Sequence, residues 1–99
     1  MIFVGIADEQ IVGGIYILHI RAVHDLIRPV LGELLDKQRL ADFDAEYDFF
    51  DEVNLTELNE QEFNQVYHLI MNHQGKDEWL DPIIPDLKLA FESDPRFQS

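Results

Sequence analysis

The residues that could do chemistry in this chain are carboxylates and imidazoles. It has no cysteine, and its only serines, Ser93 and Ser99, lie close to the C-terminal end. No GxSxG elbow surrounds a serine, so serine nucleophilic catalysis is not expected. Gly13-Gly14 lacks the flanking pattern of a phosphate-binding loop. The four histidines fall in two pairs, His19/His24 and His68/His73. Members of each pair are five apart, which puts them on different sides of a helix, and no HExxH motif occurs. His24 beside Asp25 has the composition of an acid–base pair, but a histidine at the boundary of a helix explains it as well. The oxygen-rich run 42–52 lacks the central glycine and the spacing of an EF-hand. The expectation is therefore a protein that is not an enzyme, with no catalytic residue, no metal site and no cofactor.

The carboxylates themselves are patterned. From Asp42 to Thr56 the chain reads DFDAEYDFFDEVNLT. Phe43, Ala45, Tyr47, Phe49, Val53 and Leu55 alternate with Asp42, Asp44, Glu46, Asp48 and Glu52. Strict alternation predicts a half-buried strand, because successive side chains leave opposite faces. One face would be apolar. The other would carry a carboxylate every ~6.6 Å, inside the ~8 Å screening length at physiological salt. Asp51 breaks the rule by falling on the apolar side. A β-bulge there would turn Asp51 outward and Phe50 inward; otherwise Asp51 is the one acid placed to have a raised pKa. Phe43, Tyr47, Phe50 and Val53 also fit a helical stripe. Either structure leaves an acidic side and an apolar side.

The net charge is −13, and it is unevenly distributed. Residues 1–39 hold five acids and four bases, residues 76–99 six acids and three bases, and residues 40–75 nine acids and no base. Binding to nucleic acid through phosphates needs Lys and Arg, and an anionic membrane surface repels such a chain. Neither is expected as a partner. A directed acidic surface instead suits a basic protein. Asp42, Asp44, Glu46, Asp48 and Glu52 would supply the field. Tyr47, Phe50 and Trp79 would supply aromatic anchors. For Trp79, in the polar loop 76–81, the alternative is that it and Leu80 pin that loop to the core.

The elements that must position these residues read as follows. The length suits a single domain, residues 1–99, with one core. MIFVGIA, residues 1–7, lacks the basic region and cleavage pattern of a signal peptide, and no stretch is long and apolar enough to span a membrane. Residues 2–7 predict a strand, followed by turn-prone Asp8-Glu9-Gln10 and a break at Gly13-Gly14. Residues 15–38 predict a long amphipathic helix, with a kink or restart near Arg28 caused by Pro29. Gly32 within it suggests close packing. Asn59-Glu60-Gln61-Glu62 is a variant capping box, with Leu58 and Phe63 at staple spacing. It starts a helix over 60–74 that Gly75 ends. Residues 83–93 predict a last helix with Ile84, Leu87, Ala90 and Phe91 inward, stopped by Asp94-Pro95 and followed by a tail. The order β-α-β-α-α implies an α+β fold, a small sheet (strands near 2–7 and 43–55) packed by three helices. An all-α bundle is the alternative if the acidic stretch is helical.

The run YDFFDEVNLTELNEQEFNQVYHLI, Tyr47 to Ile70, together with the small size, the acidity and the lack of cysteine, resembles bacterial immunity proteins. These neutralise the toxin domains of contact-dependent growth inhibition and related polymorphic toxin systems. The resemblance covers about a quarter of the chain and carries over no binding residue by position. It implies a non-enzymatic cytoplasmic protein that binds a cognate toxin, often a basic nuclease, and plugs its active site or covers a nearby surface. Two other expectations stand beside it. One is a nucleic-acid mimic that blocks a DNA- or RNA-binding protein with the same acidic face. The other is a structural protein that self-associates through the 15–38 helix.

Overall fold

The structure, a computed structural model, describes the backbone of residues 2–4, 17–50 and 52–98, and the side chains of residues 20–50 and 52–98. The expected turn at Asp8-Glu9-Gln10, the Gly13-Gly14 break, residues 5–7 of the first strand, the start of the first helix at Ile15 and the bulge at Asp51 lie outside the described residues.

Apolar residues recurring at three- and four-residue steps form α1, Ile17–Leu34. Its buried stripe is Ile20, Val23, Ile27 and Leu31. Pro29 does not interrupt it. The ring lies on the exposed side, where water can satisfy the carbonyl that loses its N–H partner. The restart comes instead at Asp36, which caps the next helix. Its Oδ1 accepts the Arg39 N–H at 2.8 Å, and its carbonyl accepts the Leu40 N–H at 2.9 Å. Aspartate is favoured there because it satisfies a donor that a first helical turn leaves open. The single helix expected over 15–38 is thus two.

The second of these, α2, Lys37–Phe50, corrects the strand expected near 43–55. Only its last part survives as β2, Glu52–Asn54, which pairs in parallel with β1, Ile2–Val4, in the register Phe3 to Val53. Parallel neighbours need a long crossover, and α1 with α2 provides it. The fold is mostly helical and closer to the all-α alternative than to a sheet packed by helices. Alternation misled because α2 buries little. Phe43 is its one buried residue, with Leu40 and Tyr47 partly covered. These three follow the helical step. Phe49, expected on the apolar face, is 80% exposed.

Helix α3, Glu60–Asn72, begins where its cap predicts. Asn59 Oδ1 accepts the Glu62 N–H at 2.9 Å, and Glu62 Oε1 accepts the Asn59 N–H at 3.0 Å. Leu58 and Phe63 are both buried, as a staple requires. Gly75 takes φ +86°, a conformation that favours glycine. It sits two residues beyond the C-cap, His73. A 3₁₀ turn, Asp81–Ile83, leads into α4, Ile84–Glu92, whose Ile84, Leu87 and Phe91 are buried. Helix α3 packs between α1 and α4, and β2 lies against α2 and α1.

The residues after α4 are not a free tail. Arg96 Nη1 donates to the carbonyls of Leu55 at 2.7 Å and Leu58 at 3.0 Å. Its guanidinium also pairs with Asp94 and lies 4.1 Å from the centre of the Phe63 ring. Asn64 accepts the Gln98 N–H and donates to the Arg96 carbonyl. The chain end is thereby tied to the β2–α3 connection. Replacing Arg96 with Ala removes the guanidinium from beside the Asp94 side chain, 6% exposed, and from the Leu55 and Leu58 carbonyls. The expected cost is about 3 kcal/mol in a urea unfolding titration, the range for breaking a buried pair. A cost below about 1 kcal/mol would show that the latch is ornamental.

Candidate acidic interface

The residues expected to meet a partner lie on three elements. Asp42, Asp44, Glu46, Tyr47, Asp48 and Phe50 are on α2, Glu52 is on β2, and Trp79 is in the turn before Leu80. A helix rotates about 100° per residue, so residues two apart do not share a side. The evenly repeating row of carboxylates does not form. Asp42 and Glu46 occupy one flank of α2, and Asp44 and Asp48 the other.

The second flank is partly neutralised. Arg28 of α1 donates from Nε to Asp44 Oδ1 at 2.8 Å and from Nη2 to Asp44 Oδ2 at 2.9 Å. This paired fork is the strong geometry for arginine and carboxylate. Asp44 holds the guanidinium pKa above its usual value. Gly32 has its packing role here: a Cβ at that position would sit 3.2 Å from Arg28 Nη1. Tyr47 is also engaged. Its ring stacks on His24 with centroids 3.7 Å apart, and Phe43 lies 5.7 Å from the same imidazole. His24 therefore joins α1 to α2, and its Nδ1 is a long 3.5 Å from Asp25.

The first flank is different. Asp42 and Glu46 face Glu57 and Asn54 across a pocket of about 250 Å³. Glu52 adjoins Glu46. Burial first, and then the charge of Glu46, raise the Glu52 carboxyl above its ordinary 4.5. Arg39 stands in the pocket wall but is held from behind. Nη2 donates to Glu62 Oε1 at 2.7 Å and to the Glu57 carbonyl at 2.7 Å, while Nη1 donates to Glu62 Oε2 at 3.2 Å. Arg39 in turn keeps the Glu62 carboxyl below its ordinary range. Asp42, Glu46, Asp48, Glu52, Glu57 and Glu60 form no ion pair with a basic side chain among the described residues.

Phe50 is 63% exposed at the end of α2, beside the still more exposed Phe49. Trp79 is 47% exposed, and Leu80 alone is fully buried. The turn is shaped by Asp77 Oδ1, which accepts the Trp79 N–H at 2.8 Å. Trp79 lines a separate groove with Arg21, Asp25, Leu26 and His73, so it does not join the α2 acids in one cavity. Sequence reasoning missed Glu57, Asn54 and Arg39. Glu57 falls outside the alternating run, and nothing in the local pattern points Arg39 at a glutamate 23 residues away. No cluster of metal-ligating side chains is present among the described residues. No described helix is long and apolar enough to cross a membrane.

No protein-family model matches the chain, and no curated protein or solved structure matches it.

Glu52 and Glu62 titrate with opposite consequences. Depression of Glu62 gives stability that is fully present above 4.5 and fades as the pH falls through the lowered value. Elevation of Glu52 costs stability once the pH passes the raised value. Glu62→Gln should lose about 1–3 kcal/mol at neutral pH, with the deficit shrinking in acid. Glu52→Gln should gain about 0.5 kcal/mol at neutral pH and match the wild type in acid. Urea midpoints across the acid range test both, and pH-independent differences would refute the assignment.

Proposed function

We propose that this protein is an inhibitor of a basic protein, of the immunity type: a non-enzymatic cytoplasmic protein that binds a cognate toxin domain, with a nuclease as the best-fitting toxin. The observation that carries the reading is the division of charge. Arg28 and Arg39 are held by Asp44 and Glu62, while Asp42, Glu46, Asp48, Glu52 and Glu57, on α2, β2 and the following loop, form no ion pair with a basic side chain among the described residues. Burial of Glu52, and after it the nearness of Glu46, raise the Glu52 carboxyl, so holding a charge there works against the fold. A site that opposes its own fold is one where function outweighs stability.

A nuclease must present a cationic groove to bind phosphates. Clustered carboxylates would be drawn to that groove from a distance, and complementary fields raise association rates far above those of neutral surfaces. Exposed Phe49 and Phe50 give the same surface an apolar margin that water leaves on contact.

The variant D42N/E46Q/D48N/E52Q/E57Q leaves the Arg28–Asp44 and Arg39–Glu62 pairs intact, so it should keep the circular dichroism spectrum and a cooperative melt. Co-expressed with the toxin domain encoded beside its own gene, it should lose protection of the cells. Association of the wild type with that domain should slow at least about tenfold from low to high salt. Full protection by the folded variant, or an association rate indifferent to salt, would reject the proposal.

A further inference from the structure

Charge alone would suit any cation, but the first flank of α2 also has shape. The pocket between α2 and the β2–α3 connection has about 250 Å³, below the roughly 300–1,000 Å³ usual for small-molecule sites. Its lining is divided. Leu35, Phe43 and Leu58 supply apolar surface, and Asp42, Glu46 and Glu57 supply carboxylates. Asp42 and Glu46 are one helical turn apart and so project side by side. The Glu57 side of the pocket belongs to the opposite bank. Three of the five Arg39 N–H donors go to Glu62 and to the Glu57 carbonyl, and Arg39 forms no ion pair with the carboxylates of Asp42, Glu46 or Glu57 among the described residues.

An apolar lining with a charged rim matches one kind of protein side chain. Arginine and lysine carry a cationic head on a hydrocarbon stem and bury the stem while the head stays polar. We infer that this pocket receives a protruding basic side chain of the partner protein, its stem against Leu35, Phe43 and Leu58 and its head among Asp42, Glu46 and Glu57. The inference rests on the reading that the acidic surface meets a cationic protein, and it adds where the anchoring contact falls. Ala45 is part of the lining, and its small side chain leaves room for that contact.

Three probes and three variants separate the parts. Acetyl-arginine N-methylamide is titrated into ¹⁵N-labelled protein at low salt, with the citrulline analogue as its uncharged counterpart. The arginine probe should shift the amides of Asp42, Glu46, Asn54 and Glu57 in a saturable way, and the citrulline probe should not. Ala45→Leu fills the pocket without changing any charge and should weaken the arginine probe at least about fivefold; D42N/E46Q should do the same, and E78Q/D86N, at exposed positions away from the pocket lining, should stay within about twofold. An alternating arginine–glycine octapeptide then tests the surface as a whole. If the octapeptide binds in a salt-dependent way but Ala45→Leu, shown to melt like the wild type, leaves both probes unaffected, the pocket is not the anchor and only the acidic surface stands. If the octapeptide does not bind at low salt, the acidic surface and the pocket fall together.

Discussion

A buried carboxylate sets the geometry on which the rest depends. Glu62 is 7% exposed, and an ionised group so placed is costly unless every oxygen is answered. Here one oxygen accepts from the Asn59 backbone and from Arg39, and the other accepts from Arg39 again. The same side chain therefore closes the capping box of α3 and tethers α2 across the connection. Arg39 extends the tether to the Glu57 carbonyl. Because the carboxylate cannot be left unpaired, the start of α3, the loop before it and the first turn of α2 hold one arrangement. The acidic pocket is the space that arrangement leaves.

A second clamp acts from the other end of the chain. Arg96 gathers the carbonyls of Leu55 and Leu58, the Phe63 ring and Asp94. It reaches the same connection, 55–58, that Arg39 holds at the Glu57 carbonyl. A loop held by two guanidiniums can keep Glu57 at a fixed distance from α2, although neither arginine is in its own segment. Tyr67 belongs to the same tightening. Its hydroxyl donates to Glu92 at 2.7 Å, and burial together with that carboxylate pushes its pKa up to about 12. The phenol stays protonated and keeps α3 joined to α4.

The acidic side chains left over are a consequence of where the bases went. In the linear chain, residues 40–75 contain no Lys or Arg. In the folded chain three arginines from outside that segment enter it: Arg28 at Asp44, Arg39 at Glu62, and Arg96 at the Leu55 and Leu58 carbonyls. The remaining carboxylates around Asp42, Glu46, Glu52 and Glu57 have no such partner among the described residues. Burial of Glu52 and its nearness to Glu46 work against the fold, and the hydrophobic core and the two clamps hold the arrangement. Binding a cation there would offset that cost, so affinity and fold stability would rise together on association.

By itself the sequence determined the elements whose signals are local. The capping box at Asn59 and Glu62 started α3 at the expected residue. The stripe Ile84, Leu87 and Phe91 faced inward as read, and the excess of acid was plain from composition. The stretch 42–50 was not decided locally, because its apolar residues satisfy both a two-residue and a helical period. Tertiary contacts resolved it. Phe43 and Tyr47, one helical turn apart, both reach His24, and the same helix brings Asp44 to Arg28 and Arg39 to Glu62. Those pairs span 16 and 23 residues, and the Arg96 latch spans 41. Local periodicity carries no information at such separations. The chain thus announced a cluster of negative charge, but only folding selected which carboxylates are neutralised and which line a pocket.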